Sequence, residues 1–194
     1  MKNLTVTNLS EGLRSFTSNV YLIKGKVDVL IDAGNDENIL EKLREETDDL
    51  AKVLITHSHP DHIGLAEEIK EEFNASIHAW DSSKDWVDER FTDGQNISVG
   101  DSVLKAIHTP GHSPNHVVFY GEGALFSGDL IFPGGSFGRT DLPGGDQREL
   151  VKSIRKIEKE YGPKVNKLYP GHMQPVTENA YKSIKESLEM VERF

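Results

Sequence analysis

Apolar positions along the chain fall into two rhythms. Short runs bounded by turn residues recur: Val20-Tyr21-Leu22-Ile23, Val29-Leu30-Ile31, Val53-Leu54-Ile55, Val117-Val118-Phe119, Leu125-Phe126 and Lys167-Leu168-Tyr169. Their β-branched and aromatic side chains predict buried strands. Between them, apolar residues repeat at intervals of three and four: Ile39/Leu40/Leu43, Ile63/Ala66/Ile69/Phe73, Leu150/Val151/Ile154/Ile157 and Ala180/Ile184/Leu188/Val191. That spacing gives each helix one apolar stripe, enough to cover one face of a sheet. Thr177 is the expected N-cap of the last helix. The interval from Asp129 to Asp146 holds five glycines and two prolines, too many for a regular element. A loop of that length is expected to be functional or disordered. No repeat, low-complexity tract or compositional shift marks a linker, so residues 1–194 are expected to form a single domain.

Composition narrows the classes of function. A chain of 194 residues can bury a core without disulfides, and 36% hydrophobic with 28% charged residues is ordinary for a globular protein. No stretch approaches the roughly 20 consecutive apolar residues of a membrane span, so no membrane partner is expected. The N-terminus from Met1 to Val6 lacks the apolar stretch of a signal peptide, which points to the cytoplasm. With 32 acidic against 22 basic residues, the net charge of −10 opposes binding to nucleic acid. Lys and Arg are scattered among Glu, as from Lys152 to Lys159, in the manner of a solvated helical face. The absence of cysteine excludes disulfides and thiolate ligands, so any metal chemistry must rest on nitrogen and oxygen.

Four segments share one design, in which an apolar strand ends, a turn residue follows and a potential metal ligand sits at the junction. They are Val53 to His62, Ile107 to His112, Leu125 to Asp129 and Leu168 to His172. If these strands lie in adjoining sheets, their ends converge on one edge, where functional side chains collect. His57 and His59, two apart on an extended stretch, point the same way and can share one metal. Asp61 and His62, at the start of a helix just beyond, can reach a second. Imidazole and carboxylate suit zinc, and also iron or manganese.

The run Thr56-His57-Ser58-His59-Pro60-Asp61-His62, with the matching junctions, resembles the signature of the metallo-β-lactamase superfamily. Within it, the chain is most similar to the short glyoxalase II-like (hydroxyacylglutathione hydrolase-like) proteins. The resemblance extends from about Asn19 to His172. It implies an α+β fold, a four-layer αββα sandwich with the site at one edge. It also implies two divalent metal ions, zinc first with iron or manganese as alternatives. His57, His59 and His112 would hold one ion, Asp61, His62 and His172 the other, and Asp129 would bridge them. Asp32 and Gly34, in Ile31-Asp32-Ala33-Gly34, match a further family motif of structural role.

Departures from the family refine the expectation. True β-lactamases of the superfamily use a cysteine ligand or lack the bridging aspartate, so an antibiotic-degrading role is not expected. The nuclease branches carry large extra domains. Classical glyoxalase II has a C-terminal helical domain that helps bind glutathione; this chain ends 22 residues after His172, and that domain is expected to be absent. The loop from Gly135 to Asp146 looks like that of short glyoxalase II-like proteins, and its Gly138-Arg139-Thr140-Asp141 core also occurs in persulfide dioxygenases.

The resemblance thus implies a binuclear metallohydrolase in which a metal-bridged hydroxide attacks a small-molecule thioester such as S-2-hydroxyacyl-glutathione. Asp61 is the expected proton acceptor, and Asp129 holds the metal spacing. Arg139 could meet a substrate carboxylate or pair with Asp141 and pin the loop. The alternative activity is that of a mononuclear iron persulfide dioxygenase, with His57, His112 and Asp129 as its ligands. His78 is expected to have a surface or core role, and His108 and His116 at most a hydrogen bond behind the ligands. Trp80, Trp86 and Phe91 belong to the core or the pocket mouth.

Overall fold

The computed structural model describes residues 4–193. Six strands make the first sheet: β1 (Thr5–Asn8), β2 (Tyr21–Lys24), β3 (Asp28–Ile31), β4 (Leu50–Leu54), β5 (Ser76–Ala79) and β6 (Glu89–Arg90), paired in that order. The first three run antiparallel to one another, and β3 to β6 are parallel. The second sheet has the order β11-β10-β9-β8-β7, from β7 (Asn96–Val99), β8 (Ser102–His108), β9 (Val117–Gly121), β10 (Ala124–Gly128) and β11 (Lys167–Pro170). Among the described residues its one parallel pair is β10 with β11.

Period-two alternation builds the layers. Tyr21, Ile23, Val29, Ile31 and Leu54 point between the sheets, where they meet Leu104, Ala106, Val117, Phe119 and Phe126. Their chain neighbours Leu22, Leu30, Val53 and Ile55 point outward and are covered by helices α1 (Asn38–Glu46) and α3 (Ala66–Phe73) through Ile39, Leu43 and Ile69. Ile107, Val118, Leu125 and Leu168 do the same on the far side, under α4 (Gln147–Glu160) and α5 (Tyr181–Val191). The result is the expected αββα sandwich. Leu150, Ile154 and Ile157, the stripe of α4, are fully buried, and each contributes about 1.5–3 kcal/mol.

Two helical expectations need correction. The segment read as one helix from Ile63 to Phe73 is two, with α2 (Pro60–Ile63) separate from α3. Gly64 lies against Asn35 so closely that a Cβ would come 2.6 Å from Asn35 Cβ, and the Leu65 N–H donates to Gly34 O; the chain turns there to pack on that loop. Thr177 does not cap α5, whose N-cap is Ala180 without a side-chain bond. Val176 still pairs with Leu168, and the left-handed Asn179 turns the chain before the helix begins. The long loop is ordered: Ile131 bridges Phe137, Ser187 Oγ donates to Ser136 O, and Asp146 caps α4 by accepting from the Arg148 and Glu149 N–H groups. No helix among the described residues is long and apolar enough to cross a membrane.

Candidate metal centre

Parallel strands end on the same side, so the loops after β4 and β10/β11 meet at one edge, and the β8–β9 turn joins them there. The motif after β4 changes character residue by residue. His57 and His59 lie on extended chain, and Pro60, whose fixed φ suits the first helical position, starts α2 and carries Asp61 and His62 into its first turn. All seven residues named as metal ligands from the sequence gather there. Their donor atoms form three groups, His57/His59/His112, His57/His62/Asp129 and Asp61/His62/His172, each within 4.8 Å of one another.

The separations are those of ligands around shared cations. His59 Nδ1 lies 3.0 Å from His57 Nε2 and 3.0 Å from His112 Nε2. Nitrogens bound at about 2.0–2.1 Å around one tetrahedral ion are about 3.3 Å apart. His172 Nε2 lies 3.1 Å from Asp61 Oδ2, and His62 Nε2 3.8 Å from the same oxygen. Asp129 touches both trios, its Oδ2 standing 3.5 Å from His112 Nε2 and 3.5 Å from His172 Nε2.

Behind the donors, three of the five imidazoles are held by their far nitrogens. His62 Nδ1–H donates to Asp32 Oδ2 at 2.8 Å, His112 Nδ1–H to the Arg139 carbonyl at 2.7 Å, and His57 Nδ1–H to Thr56 Oγ1 at 3.1 Å. That turns the three Nε2 atoms toward the cluster. Thr56 in turn donates its hydroxyl and N–H to Asp32, a buried residue held in left-handed backbone conformation at φ 61°. His116, fully buried, accepts from the Asp129 N–H at 3.1 Å and donates from Nδ1 to Thr109 Oγ1.

Protonation follows from burial and charge. Burial pushes His57, His59, His112 and His116 down, so they are neutral lone-pair donors. Burial would lower His62 as well, but the Asp32 and Asp129 carboxylates reverse it and hold the group well above its ordinary value. His172 is likewise pulled down by burial and carried up to about 9 by bonds to Asp129 and Asp61. Both aspartates, although burial opposes it, are held below the usual carboxylate range, Asp129 by His62 and His172 and Asp61 chiefly by His172.

This donor set fits two divalent cations. His62 Nε2 and Asp129 Oδ1 are buried, make no hydrogen bond and face each other at 3.4 Å, the spacing of two ligands on one cation. Two carboxylates with five imidazoles suit zinc, iron or manganese. Gly171 keeps the space open, since a Cβ there would sit 2.1 Å from Asp129 Oδ1.

The remaining candidates separate cleanly. Arg139 lines the cleft but forms a two-pronged pair with Asp141 at 2.6–2.7 Å, both side chains exposed. His78 is buried beside Ser76, and Phe91 lies between the sheets. His108 stacks on Trp80 at 3.8 Å, Trp86 packs against the first sheet's helical layer, and none of these lines the cleft. Thr56 carries no role in the sequence pattern beyond its place in the run, and Phe16 and Phe132, which flank His172, carry none at all. Nor does the pattern single out Asn19, whose N–H donates to Gly171 O at 2.6 Å and whose amide donates to Pro170 O and Met173 O. A phenylalanine amid polar loop residues, Arg14-Ser15-Phe16-Thr17, was the available signal for Phe16.

Comparison with known proteins gives the same outline. The family model described as metallo-β-lactamase superfamily matches residues 13–172. A hydroxyacylglutathione hydrolase from Tolumonas auensis is 33% identical over 159 residues, 79% of this chain and 60% of that protein. A probable polyketide biosynthesis zinc-dependent hydrolase, BaeB, from Bacillus velezensis is 32% identical over 142 residues, 70% of this chain and 62% of its own length. The chain thus spans less than two thirds of either relative. Among solved structures, that of the BLEG-1 B3 metallo-β-lactamase superposes with a TM-score of 0.77 at 26% identity, covering 95% of this chain and 97% of that one.

Proposed function

The chain belongs to the metallo-β-lactamase superfamily, and on that footing we propose that it is a metal-dependent hydrolase that uses two metal ions to cleave a thioester. S-2-hydroxyacyl-glutathione is the first member of that class to assay. One observation carries the reading: both ligand trios are complete, and Asp129 Oδ2 stands 3.5 Å from a donor of each. An oxygen-activating mononuclear iron site needs three protein ligands and open positions, and has no evident use for Asp61, His62 and His172 together. The relatives named as hydrolases favour the same choice.

When bound, the ions supply Lewis acidity, which acidifies water and polarises an acyl carbonyl. The chain supplies the rest. His57, His59 and His112 would hold one ion and Asp61, His62 and His172 the other, with Asp129 within reach of both. Asp61, half-buried at the cleft floor and ionised at neutral pH, would take a proton from the water that adds to the acyl carbon and return it to the sulfur as the C–S bond breaks, releasing acid and thiol. Asp32, Thr56, His116 and the Arg139 carbonyl orient the donors, so that little reorganisation accompanies the reaction.

The test is thiol release from a thioester panel, run beside oxygen uptake with glutathione persulfide and with a β-lactam as control. Metal-loaded protein should release thiol without consuming oxygen, and His62→Ala and His172→Ala should each lose at least a hundredfold. Stoichiometric oxygen uptake on persulfide, with thioesters untouched and His62→Ala fully active, replaces this reading with the dioxygenase one.

A further inference from the structure

We propose that the thioester taken by this site carries apolar, uncharged groups beside the scissile bond, and that Phe16 is the residue that selects them; the inference rests on the hydrolase reading above. The cleft over the ligand cluster encloses about 650 Å³, with His59, Asp61, His112, Asp129 and His172 on its floor. That volume is in the range of small-molecule sites. Its walls are Phe16, Phe132, Phe137, Leu142 and the two prolines 60 and 143. The wall and the ligand floor are one continuous surface, so what the wall covers is the substrate.

Charge points the same way. Away from the ligand floor, Arg139 is the one cationic side chain in the lining, and Asp141 already engages it through two bonds. Glutathione brings two carboxylates and an ammonium. The lining offers the second carboxylate no partner, and a buried carboxylate without one is costly.

Phe16 is 81% exposed, an unusual place for a phenyl ring. Its ring stacks on His172 at 5.5 Å and 21°, and Phe132 approaches the same imidazole at 6.3 Å. The loop that carries it is strapped to the ligand loops just beyond: the Ser18 N–H donates to Asp61 O at 3.1 Å and the Asn19 N–H to Gly171 O. An apolar group entering the cleft would strip water from this ring and from itself together.

Binding can be read apart from catalysis. Calorimetric titration of the metal-free protein with S-alkyl-N-acetylcysteamine thioethers, which have no bond to hydrolyse, should give affinities that rise about fourfold per methylene from ethyl to hexyl. Phe16→Ala, a change at an exposed ring with no core to disturb, should weaken the hexyl compound about tenfold and the ethyl one less than twofold; Phe16→Leu should recover most of the loss. In metal-loaded protein, kcat/KM on acetyl- to octanoyl-N-acetylcysteamine should follow the same slope, and S-lactoyl-glutathione should fall below the hexanoyl compound. An affinity flat along the series, or Phe16→Ala weakening every member alike as loss of a mere shield over His172 would, overturns the proposal. Turnover without the rise overturns this inference alone, whereas a rise with no thioester hydrolysed overturns the hydrolase reading beneath it.

Discussion

Asp32→Asn isolates the part of the site that works at one remove from the metals. Asp32 takes 2.7 and 2.9 Å bonds from the Thr56 N–H and hydroxyl and a 2.8 Å bond from His62 Nδ1–H. Asparagine has the same shape and tolerates the left-handed φ of 61° as well as aspartate does, so the backbone is not the variable. Oδ1 can still accept from the Thr56 N–H, but an NH2 now faces His62 Nδ1. Two donors cannot face each other, so the imidazole moves its proton to Nε2, the atom that must hold a metal. Loss of a partner of this kind costs about 10–100-fold in metal affinity. Replacing a charge-assisted bond by a neutral one costs about 1–2 kcal/mol, which in a chain of this size lowers Tm by roughly 2–8 °C. Dialysed variant should therefore retain about one equivalent of zinc by elemental analysis where the parent retains two, and competition against a chromogenic chelator should weaken the second site selectively. If Asp32→Asn holds two equivalents with unchanged affinities, the proposed control of the His62 tautomer is wrong.

Three further outcomes follow from particular distances. Gly171→Ala should lose metal and at least a hundredfold in activity with its circular dichroism intact, because the new Cβ falls 2.1 Å from Asp129 Oδ1; parental metal content would count against it. Arg139→Ala should keep its metals and shift Tm by no more than about 2 °C, since the ion pair is exposed and His112 is held by the backbone carbonyl, which remains; metal loss in that variant would refute the assignment. The metal-free protein should lose stability as pH rises from about 6.5 to about 9, because the folded His172 is raised to about 9 and such a group stabilises fully only below its unfolded value, near 6.5. The decline should be shallow, as His172 is a quarter exposed. A chelated sample whose melting temperature stays level across that window would contradict this.

What the sequence revealed, and what it hid, divides along the range of the interaction. Val29-Leu30-Ile31 and Val53-Leu54-Ile55 were legible as strands because each is buried on both faces, whatever lies opposite. Thr5–Asn8 and Asn96–Val99, at or near sheet edges with partly exposed side chains, are not distinguishable from loop without their partners. The break at Gly64 escaped because the spacing of Ile63, Ala66, Ile69 and Phe73 suits one helix, and only the approach of Asn35 forces the turn.

The candidate site divides the same way. Six of the seven gathering residues were legible because a short local pattern carries them: His57, His59, Asp61 and His62 in one run, and His112 and His172 each after a strand and a Pro-Gly turn. Asp129 needed the further inference that β10 ends beside β11, which their parallel pairing satisfies. No local pattern could have linked Phe16 to His172, or Arg139 O to His112, because those contacts exist only once the strapped loop and the glycine-rich loop have folded over the edge. The candidate ligands are thus written locally, whereas the walls of the cleft depend on two loops that meet only in the folded chain. That division has a consequence for variation: Phe16 and Leu142 supply no donor atom to the cluster, so under the proposed reading substrate preference can drift in this fold while the donor set stays fixed.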